Sequence, residues 1–157
     1  MGFKVTNRRG LTALEKLLDI GATFPQMAAT VQAETLGMAV VAARANIYST
    51  APGAYARTGD YLRSLDARAR ASRTGVAVTV SSSSEYAAYI EYGRGRNINP
   101  AVLQAQALAQ TRINTPVTLG RSGQLWWVAG PVLTSAQVYA ARRMRDLLVK
   151  QIMASWR

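Results

Sequence analysis

The sequence predicts an α+β fold in which long N-terminal and C-terminal helices pack on a small antiparallel sheet. Three stretches carry that expectation: apolar residues at helical spacing from Pro25 to Tyr48, the same spacing from 135 to about 155, and the alternating valines of Val76-Ala77-Val78-Thr79-Val80. A chain of 157 residues supports one hydrophobic core, so a single domain over 1–157 is expected. Much of the 49% hydrophobic fraction is alanine, which favours helices but buries little surface. Close helix packing around a modest core follows.

After a flexible N-terminal segment (about residues 1–10), Thr12-Ala13-Leu14-Glu15 reads as a capping box opening a short helix that Gly21 stops. Thr23-Phe24-Pro25-Gln26 opens the next, a rod of roughly 35 Å. Its stripe holds Met27, Val31, Met38 and Ala45, widened by Leu36, Val40 and Ile47. A rod of that length crosses a domain and still projects a face for a neighbour. Ser49 to Gly53 breaks it.

Residues 58–70 are expected as a short helix or extended turn, with Leu62, Leu65 and Ala69 at helical spacing. Arg57, Arg63, Arg68, Arg70 and Arg73 decorate its exposed side. Gly75 precedes the valine strand, and serines 81–84 form the turn after it. Tyr86 to Gly93 fits either period, and Ala87-Ala88 favours a short helix closed by Gly93. Gly93-Arg94-Gly95-Arg96 begins a flexible basic loop (93–99), and Asn99-Pro100 starts a helix reaching Gln110. Thr115–Leu119 and Gln124–Ala129 flank Gly120-Arg121-Ser122-Gly123 and are expected as a hairpin. Trp126 and Trp127 would then point to opposite faces of one strand, one toward the core and one needing outside cover. The last helix is expected to bury Val138, Ala141, Met144, Leu148 and Ile152, with Arg142, Arg143 and Arg145 off that line.

The net charge is +11, and residues 51–157 supply +9 of it, with fourteen basic and five acidic side chains. Arginine dominates; the lysines are Lys4, Lys16 and Lys150. Such a field favours anionic partners, although arginine forks also suit carboxylates across a protein interface. Histidine and cysteine are both absent, which removes the commonest general base, the thiolate nucleophile and the soft metal ligands. Of eight carboxylates, Glu15, Asp19, Glu34 and Asp146 are expected on solvated helix faces, and Asp60 and Asp66 in local ion pairs. Glu85 and Glu91 are six apart, with nothing beside them to make a hydrolytic pair. No nucleotide-loop, zinc-helix or nucleophile-elbow pattern occurs. The chain is therefore expected not to be an enzyme and to hold no cofactor or metal. No secretory signal core is expected at the start, and no run long enough to cross a membrane, the smoothest being Leu36–Ala43.

One constellation is more specific. Pro52, then Thr58-Gly59-Asp60-Tyr61-Leu62-Arg63-Ser64-Leu65, then the valine strand, then Tyr86-Ala87-Ala88-Tyr89-Ile90-Glu91-Tyr92-Gly93, resembles the small neck and tail-joining proteins of tailed bacteriophages, the tail completion or minor tail components. The shared letters are Thr58, Gly59, Leu62 and Ser64, with one extra residue before Leu62, and Tyr86, Ala87, Ile90, Glu91 and Gly93. The chain departs from that pattern after Gly93 by inserting Asn99 to Gly123 before Pro131. The resemblance implies a structural, ring-forming homo-oligomer around the DNA channel, six-fold favoured and twelve-fold possible. Its partners would be other neck, connector and tail proteins, its location the virion neck at the head–tail interface after assembly in the host cytoplasm. Gly59 and Gly93 are expected to permit turns, Tyr86, Tyr89 and Ile90 to anchor their segment, and Glu91 to cap a helix or pair with an arginine.

In such a ring Arg94 and Arg96 are the arginines expected to approach duplex DNA non-specifically, and Arg63, Arg68, Trp126 and Trp127 are candidate channel or interface residues. Two rival readings remain. One is a free-standing DNA-binding or packaging accessory protein, favoured by charge, though no helix-turn-helix or zinc pattern is present. The other is an adaptor anchored by Trp126, Trp127 and Trp156.

Overall fold

Helix α1, Phe24–Ala43, starts with proline in its first turn and continues through a π-type turn, Arg44–Tyr48. These elements belong to a computed structural model that describes residues 19–53, 56–94, 98–110 and 112–155. The expected capping box at 12–15, Arg96 and Trp156 lie outside the described residues. The expected rod is present at nearly its expected bounds, because its apolar stripe finds a partner along its whole length. Thr23 precedes it, but the hydroxyl donates back to the Ile20 carbonyl (2.7 Å) within a 3-10 turn, Asp19–Thr23.

That partner is the C-terminal helix α5, Leu133–Ser155. Met27 and Val31 meet Ala140, Met144 and Leu147, while Met38, Ala42 and Ile47 meet Val132 and Ala136, so the two helices run antiparallel. Ala39, Ala42, Ala43 and Ala136 are fully buried. Alanine lets the two backbones approach closely, and the core is built from many small contacts rather than a few aromatic ones. The buried line of α5 differs from the expected one: Val138 is buried, Met144 and Ile152 are half-buried, and Ala141 and Leu148 are exposed. Arg143 was expected off the line. It sits between the helices and grips both oxygens of Glu34 (2.6 and 2.9 Å), to which Tyr139 also donates (3.2 Å). Glu34 is thus a half-buried member of an interhelix ion pair rather than a fully solvated residue.

The Arg143 bond holds the Glu34 carboxyl below its ordinary value of 4.5. A lowered folded-state value means the pair stabilises the fold above about pH 4.5 and that this contribution fades as pH falls further. Both side chains stay partly solvated, so a double-mutant cycle of Glu34→Gln with Arg143→Ala is expected to yield about 1 kcal/mol or less. The coupling should vanish when the cycle is repeated in acid.

Helix α2 is a single turn, Asp60–Arg63, and the chain then enters strand β1, Leu65–Ala71. The expectation of a helix or turn through Arg70 is therefore corrected. Leu65, Ala67 and Ala69 also satisfy period two, and pairing with β2, Val76–Ser82, decides for the strand. The two form an antiparallel two-stranded sheet around a Ser72–Gly75 turn, so Ser81 and Ser82 lie in the strand rather than in a turn. Val76, Val78 and Val80 face the helices. Gln32 of α1 accepts from the Ala69 N–H (2.9 Å), covering part of the β1 edge.

Helices α3, Ala87–Tyr92, and α4, Pro100–Ala109, occur as expected, and Asn99 caps α4 by accepting from the Ala101 N–H (2.9 Å). The expected hairpin over 115–129 is absent. Those residues form an irregular strap without strand pairing, fastened by Asn46 donating to the Val117 carbonyl (3.0 Å) and by Ser135 accepting from the Val117 N–H (3.1 Å).

Candidate functional site

The first motif, Thr58 to Ser64, is a joint between α1 and the sheet. Gly59 has φ +78°, a left-handed conformation that glycine adopts without strain. Thr58 donates its hydroxyl to the Asp60 carboxylate, which Arg63 also grips (2.5 Å), so the expected local ion pair of Asp60 is present. The Leu62 N–H donates to the Tyr48 hydroxyl (3.2 Å), and Ser64 bonds the Tyr61 carbonyl (2.7 Å) and Ser82 Oγ (2.6 Å). Asp66 likewise pairs with Arg68 (2.8 Å).

The second motif divides into an inward and an outward half. Ile90 joins the core, with Ala87 packed against it. Glu91, only 2% exposed, reaches the start of α5 and accepts from the backbone N–H groups of Val132, Leu133 and Thr134, each at 2.8 Å. These are donors without partners inside their own helix, and the positive end of the helix dipole faces the carboxylate. Of the two expected roles for Glu91, the helix cap is the one its geometry shows. Gly93 (φ +78°) lies against the strap: Arg94 N–H donates to the Trp127 carbonyl (2.9 Å), and Gly130 N–H to the Ile90 carbonyl (2.7 Å). Tyr86 and Tyr89 do not anchor the segment. They are 65% and 58% exposed, because α3 is short and turns only its Ile90 side inward.

Those tyrosines border an open groove of about 780 Å³, with Tyr61 in its lining and Trp126 and Arg94 on the strap side. The Arg94 guanidinium lies 5.4 Å from the Trp126 ring centre, in cation–π range. Trp126 and Trp127 meet edge to face, centroids 6.1 Å apart, so they do not straddle a strand. Trp126 is half-buried and Trp127 is 48% exposed. Tyr61 is buried, its hydroxyl has no hydrogen-bond partner, and desolvation pushes it well above the usual tyrosine range. Among the described residues, the one carboxylate in the groove lining, Asp60, is held by Thr58 and Arg63. Aromatic faces and guanidinium groups suit binding rather than proton transfer.

Several arginines have structural tasks that the sequence did not announce. Arg57 donates to the carbonyls of Tyr48, Thr50 and Ala51 (3.0, 2.9 and 2.6 Å), closing the end of α1. Arg121, buried in the strap, donates to the Val128 carbonyl (2.6 Å), and Gly130 makes room for it: a Cβ there would lie 2.5 Å from Arg121 Cδ. Arg142 reaches the carbonyls of Leu108 and Gln110 at the end of α4 (2.7 and 2.6 Å). A carbonyl partner leaves no periodic sequence signal; the glycine at 130 was the available hint. Arg63 and Arg68 remain exposed, as expected of surface candidates.

No family model, curated protein or solved structure matches this chain. Among the described residues, no cluster of carboxylates could hold a metal ion, and no helix is long and apolar enough to cross a membrane.

Proposed function

We propose that this chain is a structural, non-enzymatic subunit of the neck of a tailed bacteriophage, closing with copies of itself into a ring around the DNA channel. The observation that carries the self-association is the outward row of α1: Ala29, Ala33, Gly37 and Val41, all exposed and four residues apart. Copies of a chain with net charge +11 repel one another, and this row offers a neutral strip where a second backbone can approach closely. A mid-helix glycine costs about 1 kcal/mol relative to alanine. Among the described residues, nothing beyond the backbone of its own helix lies within 4 Å of where a Gly37 Cβ would be.

A ring built head to tail needs two different surfaces on each copy. The exposed Tyr86, Tyr89 and Trp127, together with Leu148, Val149 and Met153 on the last turns of α5, supply further apolar surface on other elements. The placement in a phage neck comes from the two motifs, whose buried halves join the sheet and the C-terminal helix to the rest of the domain. Six-fold closure is favoured and twelve-fold is possible, with neighbouring connector and tail proteins on the two faces.

Electron microscopy and sedimentation of the purified chain are expected to reveal closed rings at high concentration or on neck assemblies. Ala33→Arg/Gly37→Arg is expected to abolish them while leaving the circular dichroism spectrum intact. Rings that survive this change would remove the α1 row from the interface. A chain that stays monomeric alone and on neck assemblies, yet binds duplex DNA, would instead favour a DNA-packaging accessory role.

A further inference from the structure

We propose that the outer face of the β1–β2 hairpin is a sequence-independent contact surface for the phosphates of duplex DNA. The inference rests on the DNA-channel part of the proposed function and assigns that contact to Arg70 and Arg73 beside Arg68, already a candidate channel residue, rather than to Arg94 and Arg96. The pairing register places Asp66, Arg68 and Arg70 opposite Ser81, Thr79 and Ala77. The residues between them, Ala67 and Ala69 with Val78 and Val80, turn toward the helices, so this set faces outward. Arg68 and Arg70 are exposed, as are Ala77, Thr79, Ser81 and, in the turn, Arg73.

Three features favour a polyphosphate over a protein here. Ala77 is the one wholly apolar side chain among these outward residues, so the face lacks the large aromatic or aliphatic anchor that protein interfaces are built around. Its donors are guanidinium and hydroxyl groups, the set that holds DNA backbones without reading bases. A two-stranded ribbon also fits the major groove of a duplex, with alternate residues about 6.8 Å apart along one strand.

Among the described residues Arg70 and Arg73 make no ion pair, and Arg68 meets only the half-exposed Asp66. By contrast, Arg94 is stacked on Trp126, and Arg57, Arg142 and Arg143 are committed to carbonyls or to Glu34. Among the described residues the hairpin therefore gathers three exposed arginines, two of them without an ion pair.

Fluorescence anisotropy with a blunt, mixed-sequence DNA duplex across a salt series tests the assignment. Arg70→Ala/Arg73→Ala is expected to weaken binding and to lower the slope of log affinity against log salt by about 2, near 0.9 for each phosphate that an arginine no longer neutralises. Arg44→Ala/Arg112→Ala removes the same charge from exposed positions elsewhere and should leave that slope within error of the parent. Equal losses in both variants, or no loss in the first, overturn the proposal. Poly-glutamate binding as tightly as DNA, with the same dependence on Arg70 and Arg73, would also overturn it and assign the face to an acidic protein. Sedimentation of the same samples separates the two readings: intact rings without hairpin-dependent DNA binding defeat only this inference. Hairpin-dependent binding by a permanent monomer defeats only the ring.

Discussion

Replacing Glu91 with alanine is expected to lower the unfolding free energy by about 3–4 kcal/mol, read from urea midpoints at constant slope. Three backbone N–H groups at the head of α5 lose their acceptor at once, and Val132 and Thr134 are buried where water cannot replace it. A single neutral cap is worth about 1 kcal/mol; a carboxylate accepting three bonds at the positive end of a 23-residue helix is worth more. Glu91→Gln keeps the shape and one acceptor oxygen but turns an amide donor toward a donor, so roughly half the loss is expected. An unchanged midpoint for Glu91→Ala would show that α5 holds its first turn without this clamp. It would also leave the Tyr86–Gly93 segment without its main tie to the C-terminal helix.

Gly93→Ala is expected to cost a comparable amount, about 3–5 kcal/mol, through a different mechanism. The backbone there has φ +78° and ψ 167°, a region essentially closed to residues with a side chain. A Cβ would also lie 2.5 Å from the Trp127 carbonyl oxygen and 2.9 Å from the Ala129 nitrogen. These are backbone atoms, so no side chain can swing aside. The strap must move, and the near-ultraviolet dichroism of the Trp126–Trp127 pair should change with it. Gly37→Ala is the internal comparison: with no described residue outside its own helix within 4 Å of the new Cβ, alanine should stabilise α1 by about 0.5–1 kcal/mol. If both alanine variants behaved alike, the close approach of Gly93 to the strap would not be a feature of the folded chain.

These two residues also mark how far the candidate site was legible. Gly93 as a turn and Glu91 as a cap or ion-pair partner could be expected from the short motif around them. Which helix Glu91 caps could not, because its three donors lie 41 to 43 residues further on and carry no side-chain signature. Tyr86 and Tyr89 were expected as anchors from the same motif. Their exposure follows from α3 having only six residues, which bury just the side that carries Ile90 and Glu91. Arg57, Arg121 and Arg142 could not be told from surface arginines, since backbone carbonyls are available to any cation that tertiary packing brings near.

By itself the sequence determined the two long helices, the N-cap at Asn99, the valine strand and the α+β class, because periodicity and capping are local properties written within a few turns of chain. Only the tertiary structure decided the rest. Leu65 to Ala71 became a strand because Val76 to Ser82 was there to pair with it, although its alanines suit a helix. Residues 115–129 lost their expected ladder because Asn46, Ser135 and the backbone of Ala51 and Arg94 supplied hydrogen bonds instead. Where a backbone group finds its partner depends on what else has already packed beside it, and that information is spread over the whole chain.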